Sequence, residues 1–324
     1  GVSPGDYSGR SVSSAGDVNG DGVGDVIIGA YSASPSAAME KTAAGVSYVV
    51  FGRNVTQLTP YISNIELSSI VSGSTVGFRI LGANADDASG SSVSGAGDVN
   101  NDSVADVIVG ANQADPYSRE SAGAACVVFG SKITPYNRND VDLSILTATS
   151  KGYCIYGAVS LDQTGFSVGS AGDINGDGVS DVLVGAYNAD ATGGSTYKGV
   201  TYVIFGHSIT ASNPLADIDL STIVDTPTVG FRILGAAAND QSGSSVSGGC
   251  DINGDGVHDM IIGAFTADTT TLLSNSGISY VIFGRKVGGS VPAFGDISLA
   301  SVNTGSVNGF PIYGAGAGDF SGYR

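Results

Sequence analysis

Along this chain, short runs of β-branched and aromatic residues alternate with stretches of glycine, serine, aspartate and asparagine. The runs SVSSAGDV (11–18), DVIIGA (25–30), VSYVVFG (46–52) and GFRILG (77–82) are too short for ordinary helices and are bounded by turn residues. That pattern predicts four strands. The same four segments recur as SSVSGAGDV, DVIVGA, AACVVFG and GYCIYG, then as FSVGSAGDI, DVLVGA, VTYVIFG and GFRILG, and finally as SSVSGGCDI, DMIIGA, ISYVIFG and GFPIYG. A fifth segment precedes each fourth strand: IELSSI (65–70), VDLSIL (141–146), IDLSTI (218–223) and ISLASV (297–302). It reads as an ordered crossing that fills an apolar gap. No amphipathic helix of ordinary length is visible.

Between the first and second predicted strands lies an Asp-x-Asn-x-Asp-x-x-x-Asp loop, beginning at Asp17, Asp98, Asp173 and Asp251. The starts are 81, 75 and 78 residues apart, so the loop belongs to a repeating unit. Four strands per unit at this period predict propeller blades or solenoid rungs. Meandering antiparallel strands joined by tight loops do not fit parallel rungs, so blades are the expectation.

The loops carry the candidate chemistry. Calcium takes six to eight oxygens at roughly 2.3–2.6 Å from carboxylates, amides, carbonyls and water. The expected ligands are Asp17, Asn19, Asp21, Val23 and Asp25; Asp98, Asn100, Asp102, Val104 and Asp106; Asp173, Asn175, Asp177, Val179 and Asp181; and Asp251, Asn253, Asp255, Val257 and Asp259. Each valine would contribute its main-chain carbonyl. Gly22 allows the turn around the ion. An EF-hand would need glutamate at position twelve, where this chain has Ile28, Val109, Val184 and Ile262, so that reading fails. The competing reading is a solvated Asx-rich turn. Clustered carboxylates without a cation are costly, which favours up to four Ca2+ ions. The second loop is weaker, because Asn101 and Ser103 replace glycines.

Composition narrows the function classes. The formal charge is −17 and the 13 basic residues are scattered, which excludes nucleic acid and anionic membrane surfaces as partners. No apolar run approaches the roughly 18 residues of a membrane span. No leader is recognised at Gly1, so the expectation is a mature product, an excised fragment or a cytosolic chain. The 42% hydrophobic content supplies a large core, and 50 glycines suit many turns.

The motifs together resemble the FG-GAP repeats of the integrin α-subunit β-propeller and its microbial relatives. FG stands at Phe51-Gly52, Phe129-Gly130, Phe205-Gly206 and Phe283-Gly284. GAP stands as Gly29-Ala30-Tyr31, Gly110-Ala111-Asn112, Gly185-Ala186-Tyr187 and Gly263-Ala264-Phe265, always without its proline. The resemblance implies an all-β propeller of four four-stranded antiparallel blades, with calcium between first and second strands. The expected blades are about 5–82, 83–157, 158–235 and 236–314. Integrin propellers have seven blades, whereas four longer ones are predicted here. The tail GDFSGYR (318–324) repeats the opening GDYSGR (5–10), so residues 315–324 start a further repeat or form a linking tail. A closed ring, a piece of a longer array and a head-to-tail polymer all remain open.

Internal alignment places Cys126 where other repeats have Tyr48, Tyr202 and Tyr280, and Cys154 where they have Arg79, Arg232 and Pro311. A cross-strand disulfide Cys126–Cys154 is expected, consistent with an oxidising compartment. Cys250 is expected to be free. Asn54 is a plausible glycosylation site, whereas a glycan at Asn101 would compete with ion binding.

Nothing identifies an enzyme. His207 and His258 occupy non-equivalent positions, and His258 is expected to face water. Asp6, Asp86, Asp87, Asp162, Asp240 and Asp319 read as turn or cap residues. Tyr31, Tyr117, Arg119, Tyr187 and Tyr197 follow the GAP positions and read as a variable rim. The expectation is an extracellular or cell-surface, calcium-stabilised structural or adhesive module, or a subunit of a filament. By resemblance, its protein or glycan partner would bind opposite the calcium loops, in the segments 31–45, 112–123, 187–199 and 265–277. The alternative is a polysaccharide-binding or polysaccharide-cleaving propeller.

Overall fold

The structure is a computed structural model describing residues 2–35, 41–54, 64–132, 138–191, 196–209, 216–225, 228–269, 273–288, 293–303 and 305–323. The predicted strands form four separate sheets, and the protein is all-β. Blade 1 contains β1 (Ser11–Gly16), β2 (Asp25–Ala30), β3 (Val46–Val50) and β4 (Gly77–Leu81). Blade 2 contains β5 (Ser92–Gly97), β6 (Asp106–Ala111), β7 (Ala124–Val128) and β9 (Gly152–Tyr156), with the short β8 (Val141–Asp142) preceding β9 in the chain. Blade 3 contains β10 (Ser167–Gly172), β11 (Asp181–Ala186), β12 (Val200–Ile204) and β14 (Gly230–Leu234), with β13 (Ile218–Asp219) before β14. Blade 4 contains β15 (Ser242–Cys250), β16 (Asp259–Ala264), β17 (Ile278–Ile282) and β19 (Gly309–Tyr313), with β18 (Ile297–Ser298) before β19.

The expectation of four-stranded blades needs one refinement. Residues 65–70 pack on their own blade around Ile70, but the other three crossing segments do not stay within theirs. β8, β13 and β18 reach back and pair in parallel with the fourth strand of the preceding blade, aligning Ile80 with Val141, Ile155 with Ile218 and Ile233 with Ile297. Three sheets therefore have five strands and the last has four. After each short strand the chain enters a 3₁₀ stretch that buries Leu143, Leu220 or Leu299, and a second one, Thr147–Thr149, follows in blade 2.

Packing follows from the period-2 alternation of each strand. Ile27, Val49, Phe78 and Ile80 of blade 1 meet Val93, Val107 and Val109 of blade 2 in one apolar cluster. A second cluster joins blades 2 and 3 around Ile108, Ile155, Val182 and Leu220, and a third joins blades 3 and 4 around Leu183, Ile233, Ile262 and Leu299. The core thus lies between blades. First strands pack in the series β1, β5, β10, β15, and among the described residues no comparable contact returns from β15 to β1. Among the described residues the four blades thus pack as a series from β1 to β15.

The motif glycines are explained by close approach. A Cβ at Gly29, Gly110, Gly185 or Gly263 would overlap the carbonyl oxygen of Gly90, Gly165, Gly243 or Gly322 in the segment that follows its blade. The tail therefore lies on blade 4 as residues 84–91 lie on blade 1. Its likeness to the opening segment creates no competition, because Gly9 instead donates to the Gly29 carbonyl of blade 1.

Candidate metal centre and partner face

A bulge at the end of each first strand turns the chain into the Asp-rich loop, with Gly16, Gly97, Gly172 and Gly249 at positive φ. Within the first loop, Asp17 accepts from the amides of Asp21 (Oδ1, 3.0 Å) and Gly22 (Oδ2, 2.8 Å). Asn19 accepts from Asp21 N (2.9 Å), and Asp21 from Val23 N (2.8 Å). The other loops repeat these bonds from Asp98, Asp173 and Asp251.

The ninth-position aspartate behaves differently from the rest. Asp25 is buried, and its two oxygens accept from Val18 N (2.9 Å) and Gly52 N (2.7 Å). Asp106, Asp181 and Asp259 bind Gly130, Gly206 and Gly284 in the same way. The Asp-rich loop and the FG glycine are one hydrogen-bonded unit, which the linear sequence does not reveal. Burial, aided by the two neighbouring loop carboxylates, pushes the carboxyl of Asp25 up to about 6, that of Asp106 to about 7 and that of Asp181 to about 8.

Carboxylates and amides are the donors a hard cation takes, so the loops fit calcium in composition. The same oxygens are turned onto the loop's own amides, and among the described residues no three acidic, imidazole or thiol groups converge at metal-ligand spacing. The second loop places Asn101 at φ 60° and Ser103 at φ 68°, where the first has Gly20 and Gly22.

The loops are also stitched across blades. Asp17, Asp98 and Asp173 each accept, through the main-chain carbonyl, from Ala105, Ser180 and His258 of the next blade. His258 does not face water: it is half-buried, and its Nδ1 accepts from Asp173 N at 2.9 Å. The fourth loop has no following blade among the described residues, and Asp251, Asn253 and Asp255 are exposed.

At the opposite end of the strands, Asp6, Asp87, Asp162, Asp240 and Asp319 each accept from an amide three residues earlier, the turn role expected of them. Asp86 sits at φ 63° in the same kind of turn. Tyr31 stacks on Tyr7, Tyr187 packs against Phe166, and Tyr117 and Tyr197 are exposed. Arg119 is already engaged, by both oxygens of Asp219 (2.6 and 2.8 Å) and by the Gly157 carbonyl (2.5 Å). Residues from all four blades, among them Arg10, Tyr31, Asn112, Phe166, Ser245 and Tyr323, line a cavity of about 380 Å3 on this face. Parts of the variable segments, 36–40, 192–195 and 270–272, lie outside the described residues.

Cys126 and Cys154 face each other across β7 and β9 and are disulfide-bonded, while Cys250 is free and exposed. Asn54 is exposed just beyond the FG turn, and the amide of Asn101 donates to Ser208.

The FG-GAP repeat profile matches residues 8–50, 89–128, 164–204 and 242–282, one match per blade. The chain belongs to the FG-GAP repeat family. Among curated proteins, integrin alpha-PS5 of Drosophila melanogaster is 34% identical over 187 residues, covering 58% of this chain and 16% of that protein. Integrin alpha pat-2 of Caenorhabditis briggsae is 28% identical over 180 residues, covering 54% and 13%. Integrin alpha-E of Mus musculus is 35% identical over 103 residues, covering 31% and 8%. The FG-GAP chain thus corresponds to a small share of each relative's length. Among its described residues, no helix is long and apolar enough to cross a membrane.

Proposed function

We propose that this FG-GAP chain is an extracellular interaction module, stabilised by calcium in its Asp-rich loops, that binds a protein partner on the opposite face. The observation carrying the reading is the division of labour between the two ends of the strands. One end is occupied by four acidic loops tied to the FG glycines. The other presents the cavity framed by Arg10, Tyr31, Asn112 and Tyr323, with hydroxyl groups from every blade and the aromatic rings of Tyr31, Phe166 and Tyr323. The integrin relatives and the disulfide support an adhesive, extracellular setting. Asp17, Asn19 and Asp21, with their counterparts, would hold the cation, which supplies charge neutralisation to the buried ninth aspartate. Cation binding then becomes folding free energy.

Two measurements test this. Melting in millimolar calcium and in chelator should differ strongly, and Asp177→Ala should lose more of that difference than Asp102→Ala, whose loop is already strained. Equal melting in both solutions would remove the calcium role. Binding to immobilised matrix proteins should weaken at least tenfold in Arg10→Ala and Tyr31→Ala at unchanged melting temperature. Release of unsaturated or reducing ends from an acidic glycan would instead favour the polysaccharide-cleaving alternative.

A further inference from the structure

Blade 2 departs from the other three at two positions that meet in one cavity. In sequence, Arg138 stands where the other repeats have Ile62, Leu215 and Phe294, and Lys151 where they have Val76, Val229 and Asn308. Two otherwise uncharged positions thus become cationic in the same blade. Both line a cavity of about 940 Å3 beside the second Asp-rich loop, between blades 2 and 3. The corresponding hollow beside the first loop, around Asn19, Phe51 and Thr75, measures about 280 Å3.

Neither cation meets an anion of its own chain. Lys41, Arg79, Arg119 and Arg232 hold Asp142, Asp140, Asp219 and Asp296 in ion pairs, whereas among the described residues Arg138 and Lys151 hold none. Arg138 is only 8% exposed. Its guanidinium lies 4.3 Å from the centre of the Phe78 ring and Nη2 donates to the Phe129 carbonyl, but Nη1 has no hydrogen-bond partner. Burial pushes its pKa down to about 10, although Asp106 pulls the other way. Asp106 does not close on it, because its two oxygens are held by Val99 N and Gly130 N (2.9 and 2.8 Å). A buried guanidinium with idle N–H groups is costly, and an oxyanion relieves that cost.

We propose that this cavity binds an acidic sugar unit, with its carboxylate or sulfate on Arg138 and Lys151. A bare ion would leave most of the space empty, since pockets of roughly 300–1,000 Å3 suit ligands of many atoms. Asn139, Ser131, Ser150 and Ser208 add amide and hydroxyl groups to the wall, and these match sugar hydroxyls as donors and acceptors. Among the described residues of the wall Phe129 is the one aromatic, which disfavours a nucleotide, whose base needs a ring to stack on. Asp102 is the one carboxylate there, and its oxygens are turned to Val104 N and Asn100 Nδ2 (2.9 and 3.1 Å). The site goes beyond the adhesive reading. It lies at the other end of the strands from the partner face and needs no second protein.

The test follows the amide signals of Gly130 and Lys151 by two-dimensional NMR of the whole chain, at fixed calcium and ionic strength. Galacturonate, galactose 6-sulfate, galactose and inorganic sulfate are titrated separately. At least one acidic sugar should give saturable shifts, binding at least tenfold more tightly than galactose and than inorganic sulfate. The tighter of the two acids tells a carboxylate ligand from a sulfate ester. Lys151→Val and Arg138→Phe, which restore residues of other repeats, should each weaken that binding at least tenfold without lowering the melting temperature. If Arg138→Phe fails to fold, Lys151→Val alone decides. Absence of saturable shifts with both acidic sugars would overturn the proposal, as would unimpaired binding in Lys151→Val. Galactose or inorganic sulfate binding as tightly as the acidic sugars would overturn it too, the latter leaving an adventitious ion only.

Discussion

Blade 2 holds its last two strands together covalently, and the effect of removing that bond can be worked out. Cys126 and Cys154 are separated by 28 positions and lie opposite each other on paired strands, buried on both sides. In the double variant Cys126→Ala/Cys154→Ala the strands keep their backbone pairing, so the change falls mainly on the unfolded chain. A cross-link closing a loop of that length removes about 12 cal/mol/K of chain entropy, or about 3.6 kcal/mol at 25 °C. The two truncated sulfurs leave a small buried void, which adds to the loss. Urea unfolding followed by tyrosine fluorescence, with calcium fixed, should place the variant's midpoint well below the parent's at an unchanged slope. A variant within about 0.5 kcal/mol of the parent would refute the loop-closure reasoning, since surface-like substitutions stay in that range. Alkylation of both thiols in the unreduced parent would remove its premise.

Other outcomes follow from geometry already described. Ser103 occupies a left-handed conformation that costs a non-glycine residue about 1–2 kcal/mol, partly offset by glycine's greater chain entropy of about 0.5–1 kcal/mol. Ser103→Gly should therefore stabilise the chain by up to about 1 kcal/mol by denaturant titration, and a destabilised variant would contradict this. A methyl group at Gly185 would overlap the Gly243 carbonyl and Ser167, so Gly185→Ala should cost about 3 kcal/mol, near the upper range of overpacking, whereas Gly24→Ala meets open space and should be neutral. Burial raises the carboxyls of Asp162 and Asp240 from 3.8 to about 6. The folded chain then binds these protons more tightly than the unfolded one, so their stabilisation is complete below 3.8 and is lost as pH rises through about 6. Asp162→Asn/Asp240→Asn should melt higher than the parent at pH 8, an advantage that shrinks towards pH 4. An advantage independent of pH would disprove the assignment.

Local features were legible because they are written in local spacing. Strand runs, the Asp-rich loops between β1 and β2, and the turn aspartates all depend on residues within one repeat. The disulfide was legible too, because Tyr48 faces Arg79 and Tyr202 faces Arg232 across the same strand pair, so a double change to cysteine marked neighbours. What the sequence hid lies between repeats. Residues 141–146 announce an ordered segment, but their partner is a strand roughly sixty residues earlier, chosen by how blades stack. His258 reads as a loop-tip residue until the preceding blade brings Asp173 N to its ring. The ninth aspartate reads as a loop residue, and its hydrogen bonds to the amides of Val18 and of the FG glycine emerge only when the third strand is in place.

The reach-back of β8, β13 and β18 also bears on how such a chain can grow by gene duplication. A copied unit that begins before one first strand and ends after the next fourth strand carries both halves of a junction: the edge that receives and the segment that is given. Inserting another such unit between two existing ones reproduces the same contact on each side without new compensating substitutions. Only the fourth-strand residue facing the aspartate before that segment varies, with Cys154 beside Asp217 where the other junctions pair Arg79 with Asp140 and Arg232 with Asp296. Copy number can therefore drift in this architecture more freely than the sequence of any single blade.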